Sequence, residues 1–217
     1  MEMVLIKPRI VTVVGNVGAG KSSAIGVIAD VLHGKTILAD DLFQTTDPFR
    51  ECFLNDEPRW ALANELWLTK ERMKILKQAM MTNTGKWLVV DSGLLMSWVY
   101  THSHYLVGKI TKEEWELYSD IFDSMAQQAF INSAVIYLDY SIETLLYRIK
   151  LRGRDYELKF YTEAYLRQLQ AGLKALIYQL EKKQVKVIKI TEAIVSDFVN
   201  NNKDRIKLTK LISQGGF

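Results

Sequence analysis

The run Gly15-Asn16-Val17-Gly18-Ala19-Gly20-Lys21-Ser22 leaves this chain the least freedom in how it folds. A continuous β-branched stretch, residues 10–14, precedes it, and Ile25, Ile28, Ala29 and Leu32 follow at helical spacing, so the run is the turn of a strand–turn–helix unit. A strand without polar alternation is buried on both faces and belongs near the middle of a parallel sheet. In such a turn the successive backbone N–H groups from Gly15 to Ser23, and the positive end of the helix, converge where a polyphosphate can be held. Glycines at 15, 18 and 20 let the backbone approach, Lys21 reaches the β/γ oxygens, and the Ser22 hydroxyl is placed to ligate Mg²⁺.

Residues 36–39, 86–90, 134–138 and 185–190 read as four further strands. Helical stretches fall at residues 58–81, 94–107, 112–131, 142–151, 162–181 and 192–213. Strands alternating with helices predict an α/β fold, a parallel sheet flanked by helices. No Pro-, Ser- or Gly-rich linker interrupts the chain, so residues 1–217 are expected to form one domain. A chain of 217 residues buries about 70% of its unfolded surface and needs no disulfide or metal to hold a core. The lone Cys52 and the lack of a basic-then-apolar leader predict a reducing, cytoplasmic setting, and no apolar run is long enough to cross a membrane. A net charge of +3 is too slight for a nucleic-acid polymer but compatible with a small anion.

The segment Arg148-Ile149-Lys150-Leu151-Arg152-Gly153-Arg154 carries three arginines at a helix end. Arg148 and Arg152 are four apart and share a face, and Gly153 frees Arg154 from the helix. Guanidinium forks that close over a transferring phosphoryl would stabilise its charge and exclude water. The plainer alternative is a solvated basic helix end favoured by the macrodipole.

Residues 15–23, the helix around Glu57-Pro58-Arg59-Trp60 and Arg72, the strand-end Asp91, and Val135-Ile136-Tyr137-Leu138 leading into Arg148, Arg152, Arg154 and Glu157 together resemble the deoxynucleoside kinase family. The resemblance runs over nearly the whole chain. It implies a P-loop kinase fold with a five-stranded parallel sheet, a lid at about residues 152–160, and transfer of phosphate from ATP and Mg²⁺ to a nucleoside 5′-hydroxyl. It also implies a small nucleoside or nucleotide acceptor and, commonly, a homodimer. By the same resemblance Lys21, Arg148, Arg152 and Arg154 act on the phosphates, and Ser22 and Asp91 flank the magnesium. The family's proton-accepting carboxylate falls on Asp40 or Asp41, unless that pair only caps the next helix. Where the family reads Glu/Asp-Arg-Ser, this chain reads Asp91-Ser92-Gly93. Such an arginine can be worth about 10³ to 10⁵ in rate, so either Arg50 or Arg59 substitutes or turnover is weakened.

On the acceptor side the family's base-reading Gln and Arg align with Glu65 and Arg72, its partner Asp with Ser97, and its sugar-binding Tyr with Phe53 or Leu54. Glu157 keeps the position that holds the 3′-hydroxyl. A carboxylate at 65 only accepts hydrogen bonds, which favours a purine with two adjacent donors, guanine, unless Arg72 takes it into an ion pair. Trp60, Trp67 and Trp98 either wall the acceptor pocket or belong to the core. His33, His102 and His104 have no metal spacing and read as structural or exposed. Two other readings share the phosphate loop: a nucleoside monophosphate kinase resembling thymidylate kinase, and a nucleotide-binding regulator without turnover.

Overall fold

The computed structural model describes residues 9–38, 42–83, 85–126 and 133–215. Five parallel strands, β1 (Arg9–Gly15), β2 (Lys35–Ile37), β3 (Trp87–Asp91), β4 (Ser133–Asp139) and β5 (Lys186–Thr191), lie in the order β2-β3-β1-β4-β5. β1 is central, with Thr12 opposite Val90 of β3 and Val135 of β4. Alternation of its side chains builds the core on both faces. Val11 and Val13 pack with Ile25 and Ile28 of α1 (Lys21–Leu32), Leu145 and Ile149 of α7 (Ile142–Arg152), and Leu208 of α10 (Asn202–Gln214). Ile10 points the other way, to Met73 and Leu76 of α4 (Glu57–Thr82) and Phe122 of α6 (Lys112–Ala126). Val14 meets Leu95 and Val99 of α5 (Gly93–Leu106) and Leu169 and Leu173 of α9 (Glu163–Lys182). Each fully buried aliphatic side chain contributes about 1.5–3 kcal/mol, which is why the unbroken apolar run sits at the centre.

The remaining helices are short: α2 (Leu42–Thr45), α3 (Arg50–Asn55) and α8 (Asp155–Phe160). None spans enough turns for apolar periodicity to reveal it, and none is among the helical stretches that periodicity predicts. Helix starts follow their caps. The Asp56 carboxylate accepts from Arg59 N–H to open α4, and Ser141 Oγ accepts from Thr144 N–H to open α7.

One expectation is overturned. Residues 192–213 are not one helix; β5 ends at Thr191 and α10 begins only at Asn202. Asp197 Oδ1 accepts from the N–H groups of Val199 and Asn200, and Asp204 Oδ2 from those of Ser196 and Asp197. Side-chain acceptors have taken the donors that a helix would need. The second strand is Lys35–Ile37, Ala39 lying outside the described residues, and α6 is described only as far as Ala126. Among the described residues no helix is long and apolar enough to cross a membrane.

Candidate functional site

The turn after β1 opens at the carboxyl edge of the sheet, between the ends of β3 and β4, where open α/β sheets bind their ligands. Gly18 and Gly20 hold φ of 80° and 87°, a region that L side chains rarely adopt. A Cβ on Gly20 would stand 3.2 Å from the Phe198 ring. Asn16 does not face the cleft. Its Nδ2 donates to Leu166 O at 2.7 Å and its Oδ1 accepts from Val17 N–H at 2.8 Å, which ties the turn to α9. Lys21 Nζ donates to Asn16 O at 3.1 Å.

Ser22 Oγ donates to Asp91 Oδ2 at 2.7 Å, so the two groups assigned to magnesium from sequence meet at the cleft wall. Two hard oxygen donors suit Mg²⁺, which keeps several waters and substrate oxygens as its other ligands. The cradle likewise fits a triphosphate, since Val17, Gly18, Gly20, Lys21, Ser22 and Ser23 all line the cleft. Asp91 is fully buried, and its Oδ1 accepts from Ser92 Oγ at 2.9 Å. Ser92 sits at φ 60° and ψ −60°, a strained conformation for a residue with a Cβ.

The cleft has a volume of about 1430 Å³. Its arginines divide by partner. Arg148 lies over Tyr140, its Cζ 4.2 Å from the ring centroid, reaches the carbonyls of Gly18 and Ala19, and donates to Ser196 O at 2.5 Å. Arg152 and Arg154 instead pair with the buried Glu157, at 2.6 and 3.3 Å. Gly153 ends α7 in the left-handed cap at φ 65°.

At the other end of the cleft Glu65 and Arg72, buried on α4, face the same space as Tyr100 and His104. The ion pair left open by the sequence is not formed: Arg72 Nη1 donates to Ser97 Oγ at 2.7 Å. Glu65 Oε1 lies 3.6 Å from His104 Nε2. Glu65 Oε2, Asn64 Oδ1, Arg72 Nε and His104 Nδ1 are buried without a hydrogen-bond partner. Ser97 is buried behind Arg72 and does not line the cleft, whereas Phe53 and Leu54 do. Burial pushes the phenol of Tyr165, on the same wall, well above its usual range, so it stays a neutral hydroxyl.

Of the two substitute arginines, Arg50 lines the cleft and its Nε is buried without a partner; Arg59 lies over Trp60 at 5.1 Å and does not line it. Trp60 itself packs on Phe49, and Trp98 stacks on His102 at 4.8 Å, so neither walls the cleft; Trp67 does not line it either. Burial lowers the pKa of His102. Asp40 and Asp41 lie outside the described residues. The sequence reading misses Asn64, Tyr100, Tyr165 and residues 196–200, all on the cleft wall, and takes His104 for structural. A signal for His104 was present, since it follows Ser97 by seven residues on one helix face.

A profile of the deoxynucleoside kinase family matches residues 11–214. The deoxyadenosine/deoxycytidine kinase of Bacillus subtilis (strain 168) is 30% identical over 156 residues, 70% of this chain and 70% of that protein. The deoxyguanosine kinase of the same strain is 24% identical over 199 residues, 89% of this chain and 91% of its own. Among solved structures, M. mycoides deoxyadenosine kinase with bound dATP shares the fold at a TM-score of 0.73 and 20% identity, over 95% of this chain and 100% of that one. With the profile running from β1 into α10, the chain belongs to the deoxynucleoside kinase family.

Proposed function

We propose that this protein transfers the γ-phosphoryl group of ATP to the 5′-hydroxyl of a deoxynucleoside, with guanine the preferred base. The observation that carries this reading is one cleft with a phosphate cradle at one end and four buried, unpartnered polar atoms near the other. A buried polar group without a partner costs about 1–3 kcal/mol, more when charged, and an acceptor that satisfies it recovers that cost. Lys21 and the cradle hold the triphosphate. Ser22 and Asp91 hold Mg²⁺, which when bound neutralises phosphate charge. Arg148, Arg152 and Arg154 act on the charge of the transferring group, Glu157 takes the 3′-hydroxyl, and Asp40 or Asp41 accepts the proton of the 5′-hydroxyl.

Glu65 is the group that discriminates. Its Oε2 only accepts, and guanine offers two adjacent donors, N1–H and the exocyclic amine, while adenine and cytosine set an amine beside a bare acceptor nitrogen. Because Arg72 is engaged with Ser97, it leaves Glu65 Oε2 to the base, while Oε1 lies 3.6 Å from His104 Nε2. ADP release with each of the four deoxynucleosides is expected to rank deoxyguanosine first. Glu65→Gln should cut that preference by about tenfold, the worth of one well-placed hydrogen bond. A ranking that the mutation leaves unchanged would make Glu65 structural.

A second reading, a nucleotide-binding protein of weak turnover, rests on the resemblance alone, which sets Ser92 at the position of the arginine in the family's motif. Arg50 separates the two. If it supplies the missing charge, Arg50→Ala lowers turnover about 10²-fold while Arg59→Ala stays within about twofold. Equal, small effects of both substitutions would favour weak turnover.

A further inference from the structure

Asp204 has no part in any of these roles. It lies on α10, none of whose residues lines the cleft, and it is 4% exposed. Its Oδ2 nevertheless accepts three hydrogen bonds, from Ser196 N–H at 2.9 Å, Ser196 Oγ at 2.7 Å and Asp197 N–H at 2.9 Å. Its Oδ1 pairs with Lys207 Nζ at 3.0 Å. These donors hold its carboxyl well below the usual carboxylate range, the Asp197 N–H foremost.

The segment so held touches the phosphate site twice. The Ser196 carbonyl accepts from Arg148 Nη2, whose other nitrogen reaches the carbonyls of Gly18 and Ala19. Two residues on, the Phe198 ring packs over Gly20. The segment has a second anchor, Val195 O accepting from Tyr140 OH at 2.9 Å beneath the Arg148 guanidinium, but that carbonyl belongs to the Val195–Ser196 peptide and not to the Ser196–Asp197 peptide, whose carbonyl Arg148 takes. Orientation of the Ser196–Asp197 peptide falls to Asp204, which accepts from its N–H, that of Asp197, while its carbonyl faces Arg148; the same oxygen also accepts from Ser196 N–H and Oγ.

We infer that Asp204 is a positioning residue for nucleotide binding, acting through Ser196 on Arg148 and so on the phosphate loop. The inference rests on the phosphate-binding half of the proposed function and needs no acceptor. A merely structural carboxylate would stabilise α10 and the segment before it without coupling to Arg148. A thermodynamic cycle on the full chain separates the two. Titration calorimetry with MgATP is expected to show about tenfold weaker binding for Asp204→Ala and for Arg148→Ala, and little further loss in the double variant. Asp204→Asn keeps one acceptor oxygen and should fall between wild type and Asp204→Ala, which retains a testable variant if alanine prevents folding.

Hydrogen exchange gives a readout without nucleotide. Asp204→Asn and Asp204→Ala should speed exchange at residues 15–22 as well as at 192–201, and in the Arg148→Ala background the added effect at 15–22 should vanish. Faster exchange confined to residues 192–201, or additive losses of MgATP affinity, would overturn the inference. Failure of the wild type to bind MgATP would instead overturn the proposed function, leaving the exchange at residues 15–22 to decide the role of Asp204.

Discussion

Lys21→Ala is expected to lower phosphoryl transfer by about 10³-fold while thermal stability stays within about 0.5 kcal/mol of wild type. Lys21 is partly exposed, its ammonium donates to the Asn16 carbonyl, and it lines the cleft at the mouth of the cradle. Removing it deletes no packed apolar group. It deletes the one cradle side chain with a positive charge, which in the proposed reaction meets the charge that develops on the β/γ oxygens. Such a group acts at full strength because the cradle is preorganised and partly closed to water. ADP release measured beside thermal unfolding checks both halves. Turnover equal to wild type in the folded variant would sink the kinase reading altogether.

Asp91→Asn is expected to cost about 10²-fold or more in turnover, through the cation rather than the nucleotide. Asp91 is fully buried at the end of β3 and accepts from Ser22 Oγ on one oxygen and Ser92 Oγ on the other. Asparagine keeps the volume but loses the charge and places an amide donor against a hydroxyl. Loss of a hydrogen bond to a charged group costs about 1.5–3 kcal/mol of stability, so unfolding must be measured in parallel. The informative comparison is nucleotide binding with and without Mg²⁺. Magnesium should tighten binding to wild type and have little effect on the variant. An undiminished magnesium effect would move the cation site away from Asp91.

How much of this protein its sequence determines depends on how far apart the interacting residues lie. The cradle is contiguous. Residues 10–32 contain the buried strand, the glycines that alone accept its positive φ angles, and the helix whose end completes it, so local sterics specify the strand–turn–helix unit without help from the rest of the chain. The parallel sheet was legible for the same reason, because apolar runs of four or five residues, 10–14, 87–90 and 134–138, are those of strands buried on both faces.

Beyond these elements packing decides. Whether Arg72 would hold Glu65 depended on Ser97, which α5 brings against α4 across 25 residues of chain. Whether Arg50 or Arg59 faced the cleft depended on how α3 packs against α4, and on which side of Trp60 the Arg59 guanidinium lies. The segment between β5 and α10 shows the limit most plainly. Its apolar spacing reads as helix, yet Asp197 and Asp204 satisfy its N–H groups in turns, and the resulting shape serves Arg148, 48 residues away. A hydrogen bond between side chain and backbone is worth about as much as the helical bond it replaces, so periodicity alone cannot choose between them. Only the folded chain does, by setting Asp204 of α10 against Ser196 and Asp197.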